Sequence, residues 1–186
     1  MGSLRHRLKF ESRADHKQLD MRLDEVRVAE PGGLSQYLLM WHAQLTRFEP
    51  LMAQLGRAAP PSLVDLLLAD LAALDCQPGD AEPRNFLLQM HPLGLAYVIA
   101  GSHFGAYVLR RRWESSQSKQ VLAAGRFLQS NALQQYWPDY VALLRSRRFA
   151  AAEEDAIVLT AKRCFQSFGQ SFEQIIGQGV KAAADG

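Results

Sequence analysis

Two short stretches carry residue types that do chemistry. The first surrounds His16, with Lys9, Ser12 and Arg13 one to two turns before it. If residues 3–23 form a helix, a rotation of about 100° per residue puts Lys9, Ser12, Arg13, Leu19 and Asp20 within about 60° of His16. A core face would be more apolar, and a solvated face has no special use for an imidazole. Neutral imidazole is a good iron ligand. Lysine or arginine one or two turns away can pair with carboxylates on a bound ligand. The bland alternative is an exposed amphipathic helix end on which a histidine happens to fall.

The second stretch, residues 97–112, reads YVIAGSHFGAYVLRRR. It looks helical although Gly101 and Gly105 lie in its interior. Each glycine costs about 1 kcal/mol relative to alanine there. The rest of the chain is ordinary helical sequence, so the exception needs a reason. On one continuous helix Gly94, Gly101 and Val108 lie near one line, with Gly105 and Arg112 within about 40° of it. One face is stripped of side chains and ends in a cation. Either a second helix or a flat ligand comes close to that backbone, and the glycines also allow a kink.

The elements that must position these residues are helices throughout. After residues 3–23, Pro31-Gly32-Gly33 reads as a break. Residues 35–57 carry Tyr37, Leu38, Trp41, Leu45, Phe48 and Leu51/Met52 at helical spacing, with Pro50 expected to kink or divide them. Pro60-Pro61 opens a helix to about residue 75, followed by a polar loop over 77–83 and a short helix over 84–90. Pro92 opens the glycine-bearing helix, which runs to about residue 113. A polar hinge spans 115–119, and 121–128 form a short helix or ordered loop. Residues 131–147, containing Pro138, and residues 151–176 form the last long helices, the latter with Ile157, Cys164, Phe165, Phe168 and Phe172 on its apolar side. No strand alternation, repeat or low-complexity tract is visible. The expected fold is all-α: a bundle of about seven or eight helices in a single domain over residues 1–180, with a frayed tail at 181–186.

Composition narrows the function classes. The 186 residues are 48% apolar and 22% charged, near the average for a soluble globular domain. A net charge of +2 with scattered arginines argues against a nucleic-acid partner. Cys76 and Cys164 are far apart and lack ligand neighbours, so they read as small buried hydrophobes in a reducing compartment. The charged N-terminus lacks a signal-peptide core, and no apolar run of about 18 residues is apparent, so a cytoplasmic protein without a membrane partner is expected. A di-iron carboxylate oxidase would need Glu-x-x-His pairs. The residues three before each histidine are Ser3, Arg13, Leu39, Leu88 and Ala100. His6, His42 and His91 read as a solvated residue, a surface or partly buried one, and a capping one. Trp41, Phe48, Tyr136 and Trp137 read as core, and the arginines of 110–112 and 145–148 as solvated charge at helix ends.

Taken together, and in this order, the two stretches resemble the heme oxygenase family. Its first-helix pattern, Leu-Arg/Lys-x-x-Thr-x-x-x-His, is matched by Leu8-Lys9-Phe10-Glu11-Ser12-Arg13-Ala14-Asp15-His16. The distal pattern of its bacterial members, Tyr-Val-x-x-Gly-Ser-x-x-Gly-Gly, is matched by Tyr97-Val98-Ile99-Ala100-Gly101-Ser102-His103-Phe104-Gly105-Ala106. The resemblance implies heme between these helices and iron ligated by His16. It implies Lys9 and Arg13 at the heme propionates, with Arg112 a weaker candidate, and a distal wall of Gly101, Ser102 and Gly105 flanked by Tyr97 and Ala106. The family opens heme, its substrate and prosthetic group, to biliverdin, carbon monoxide and iron, using O2 and an external electron donor such as a ferredoxin or reductase. A bilin-accepting photoreceptor is one possible destination of the product. A bulky side chain above the iron would block oxygen, which explains a glycine face, and a pocket water can supply protons.

Two departures stand out. Ala106 replaces the second distal glycine, and Ser12 replaces threonine. Ser102 stands where some members carry a carboxylate that holds the distal water, and serine is the usual bacterial choice. Helical rotation points His103 away from the heme unless the helix kinks. The competing readings are a heme carrier or sensor without turnover, and an interaction module whose glycines serve helix packing alone.

Overall fold

The computed structural model describes residues 3–79 and 89–184, with the backbone alone at 103 and 178–184. Among the described residues the chain is all-α. Its helices are α1 (Leu4–Glu11), α2 (Arg13–Asp24), α3 (Pro31–Met52), α4 (Val64–Ala73), α5 (Pro92–Gly101), α6 (His103–Glu114), α7 (Lys119–Ala123), α8 (Arg126–Gln129), α9 (Ala132–Ser146) and α10 (Ala151–Ala184). A 3-10 segment, Ala53–Ala58, follows α3.

α10 is the axis of the bundle. α1, α2, α3 and α5 all pack on it. Its expected apolar side is buried as read: Ile157, Cys164, Phe165, Phe168 and Phe172 meet Leu8, Leu34, Leu38, Phe48 and Leu93 in one core. α10 continues to Ala184, past residue 176 where the apolar pattern fades. α5 lies so close to α10 that a Cβ on Gly94 would strike the Ile157 carbonyl and the Thr160 side chain. The Tyr140 hydroxyl donates to the Leu93 carbonyl at 2.9 Å and locks α9 against the same spot. The two cysteines are free, and burial pushes both thiols up.

Several expected boundaries move, each for a local reason. The helix over 3–23 divides at Ser12, where φ is −92° and ψ is 1°. The Ser12 hydroxyl donates to the Leu8 carbonyl at 2.6 Å, a back-bond that bends helices. Pro31-Gly32-Gly33 is not a break but the first turn of α3, with proline at a position where its missing N–H is harmless. A Cβ on Gly33 would strike the Arg27 backbone, so the close approach of the preceding loop accounts for that glycine. α3 passes through Pro50 and ends two residues later. The glycine-bearing helix is interrupted only by a one-residue turn at Ser102, whose backbone angles stay helical. The region 121–128 forms two short helices, α7 and α8. The short helix expected over 84–90 falls, but for its last two residues, outside the described residues, as does 80–83 of the polar loop.

The expectation that no apolar run suffices for a membrane span also needs correcting. Among the described residues, the stretch Pro92–Glu114 is long and apolar enough by length and composition, although about half of it is buried in the bundle. Buried core helices meet the same criterion.

One buried carboxylate organises the far end of the bundle. Asp70 on α4 is fully buried. It accepts from the backbone N–H groups of Arg126 at 3.0 Å and Phe127 at 2.8 Å, and from Arg126 Nη1 at 3.2 Å. Asp70→Ala strands the two backbone donors, while Arg126 Nη1 keeps the Ala69 and Ala123 carbonyls, so unfolding in urea should show a loss of about 2–4 kcal/mol. Asp70→Asn, which retains an acceptor oxygen, should lose less.

Candidate functional site between α2 and the α5–α6 pair

The two chemistry-bearing stretches come together in space. α2 and α5 both rest on α10, which forms a floor beneath them. They are tied at one end where the Tyr97 phenol reaches Ser12 at the α1–α2 bend. Burial pushes the Tyr97 hydroxyl up, while Arg5 and the Ser12 hydroxyl pull it back. At the other end Arg112 Nη2 pairs with the Asp24 carboxylate at 3.0 Å, and its Nη1 donates to the Asp24 carbonyl at 3.2 Å. Ser12 and Asp24 are twelve helical steps apart, about 18 Å at 1.5 Å per residue. Along that length α2 and α6 scarcely pack against each other.

His16 sits on α2 within this interval. Its ring lies against Phe165 of the floor, with centroids 4.9 Å apart, and its side chain is 54% exposed. Nδ1 faces the Asp20 carboxylate at 3.5 Å, one turn on. Both side chains are about half exposed, and the contact is longer than an ordinary hydrogen bond. Lys9 and Arg13 are both exposed. Among the described residues no carboxylate pairs with either.

The two glycines of the second stretch have open surroundings. A Cβ on Gly105 would meet nothing within 4 Å, and one on Gly101 would make only ordinary contact with the Trp137 ring at 3.7 Å. Neither glycine is needed for helix packing, unlike Gly94. Between Gly101 and Gly105, at Ser102, the backbone keeps helical angles (φ −62°, ψ −23°), so the glycines follow one another by ordinary helical rotation. There the Ser102 N–H is shared between the Val98 and Ile99 carbonyls at 3.1 and 3.3 Å, and its hydroxyl donates to Ile99 at 2.7 Å. Ala106 is half-buried, while Phe104, Tyr107 and Val108 are exposed along α6. Phe10 on α1 and Met21 on α2 are exposed as well. The direction of the His103 side chain lies outside the described residues.

Four participants carried no role in the sequence reading. Asp20 was visible as an acid one turn after His16. Asp24 holds the Arg112 guanidinium that the resemblance assigns to a propionate, so that cation serves as a tie between helices here. Trp137, read as core, is half-buried and packs on Gly101, Tyr97 and Phe104. Phe104 meets the Trp137 ring edge-on at 5.4 Å. Nothing in the sequence marks the last two, because both depend on where α9 crosses α5. His91 behaves as read. Its Nδ1 caps α5 by accepting from the Leu93 N–H at 3.2 Å, which needs a neutral ring, and burial lowers its pKa in that direction.

Among the described residues no group of three or more His, Cys, Asp or Glu side chains could hold a bare metal ion. A lone open imidazole suits an iron whose other ligands come from a macrocycle. The described residues form an all-α bundle with Lys9 and His16 on α1 and α2, Arg13 at the start of α2, and Gly101 and Gly105 on α5 and α6. The chain matches no protein-family model and no curated protein.

Proposed function

We propose that this interval takes heme as substrate and that the chain is a heme oxygenase-type enzyme, giving biliverdin, carbon monoxide and iron. The observation that carries the reading is the open space at Gly105, which helix packing leaves unexplained. Heme, once bound, supplies the iron that activates O2, with electrons from a ferredoxin or a reductase. His16 would hold the iron through Nε2, with the Asp20 carboxylate beside Nδ1 on the far side of the ring. Lys9 and Arg13 meet the propionates. Gly101 and Gly105 keep side chains out of the space above the ring. Ser102, whose proton is committed to Ile99, keeps oxygen lone pairs that can hold a pocket water. The exposed apolar side chains of α6 and of Phe10 and Met21 suit the hydrophobic edge of a porphyrin.

The test is a hemin titration followed by ascorbate or a reductase in air, watched by absorption spectroscopy. A one-to-one Soret band that decays into a broad red biliverdin band is the expected result. A stable six-coordinate spectrum without turnover would replace the enzyme by a carrier or sensor. Failure to bind hemin would sink both.

A further inference from the structure

We propose a second binding site, for a compact phosphate-bearing polyanion, in the cleft where the start of α1 meets the α9–α10 turn. This cleft has a volume of about 500 Å³ and is lined by Ser3, Arg5, Arg145, Arg147, Arg148 and Phe149, among others. That volume is in the range of small-molecule sites. Four arginines line it against one acidic residue, Glu154, whose carboxylate already accepts from Arg7 Nη1 at 3.2 Å. Arg147 is held in place, pairing with Glu153 at 3.5 Å and lying over the Phe149 ring at 5.1 Å. Among the described residues, Arg5, Arg145 and Arg148 have no carboxylate partner.

Like charges gathered in a concavity repel one another and focus a positive potential into it. An oxyanion removes that repulsion, and the planar fork of each guanidinium matches phosphate oxygens two at a time. Three arginines without carboxylate partners lining one cleft call for an anion with several oxygens and more than one charge. The sequence conceals this grouping, because Arg5 lies 140 residues before Arg145 and only the packing of α1 beside α9 unites them. The site is independent of the heme reading.

The probe is inorganic pyrophosphate, titrated by calorimetry at fixed ionic strength. One-to-one saturable binding is expected, weakened about tenfold or more by Arg145→Gln and by Arg148→Gln, each of which removes a charge-assisted hydrogen bond. Both arginines are exposed, so these variants should fold, which far-UV circular dichroism checks. Arg110→Gln, on α6 and outside the cleft, should bind as the wild type does. Absence of saturable binding, unchanged affinity in the two cleft variants, or an equal loss in Arg110→Gln would each overturn the site.

Discussion

His16→Ala should lose the ferric spectrum of the wild-type hemin complex and all conversion to biliverdin. Removing the imidazole takes away the one protein ligand the iron would have, while Lys9, Arg13 and the apolar side chains of α6 stay in place. Hemin should therefore still bind, more weakly and with an altered Soret band. Exogenous imidazole should restore much of the normal spectrum. Asp20→Asn separates the ligand from its support. The amide leaves the His16 ring in place but removes the negative charge at Nδ1. Second-shell losses of this kind typically cost about 10- to 100-fold in affinity or activity. A His16→Ala variant with an unchanged spectrum and normal turnover would remove His16 from the site.

Gly94→Ala and Gly105→Ala should move stability in opposite directions. A methyl at Gly94 runs into the Ile157 carbonyl of α10, and a backbone atom cannot step aside as a flexible side chain can. Overpacking of this kind costs about 1–3 kcal/mol, and in a chain of this size each kcal/mol lowers the melting temperature by roughly 2–4 °C. A methyl at Gly105 meets open space. It should add about 1 kcal/mol of helix stability and raise the melting temperature by a few degrees. If heme occupies the interval, the same stabilised variant should turn over more slowly, and Gly105→Leu should fold normally yet fail to take up hemin. Unchanged hemin binding in Gly105→Leu would return that glycine to a purely structural explanation. Thermal unfolding and the hemin titration, run side by side on the three variants, separate the two kinds of glycine.

The sequence by itself determined the all-α class and most of the core. Apolar residues at helical spacing have few other ways to leave water, so Trp41, Phe48, Ile157 and Phe168 are buried as the periodicity requires. It also marked His16, Gly101 and Gly105, because an imidazole between cations and glycines inside a helix are both local departures from what stable helices use. Only the tertiary structure separated Gly94 from Gly105, since whether a glycine is filled or bare depends on the neighbouring helix. It also decided that Pro31 starts a helix instead of ending one, because the Arg27 backbone lies against Gly33. Helical rotation along an ideal cylinder placed Gly94, Gly101 and Val108 on one face. Ser102 keeps helical backbone angles on that cylinder, and the bond from its hydroxyl to the Ile99 carbonyl is visible only in three dimensions. Asp24 with Arg112, Tyr97 with Ser12, and Arg5 with Arg145 are distant in sequence, and the packing of helices around α10 brings them together.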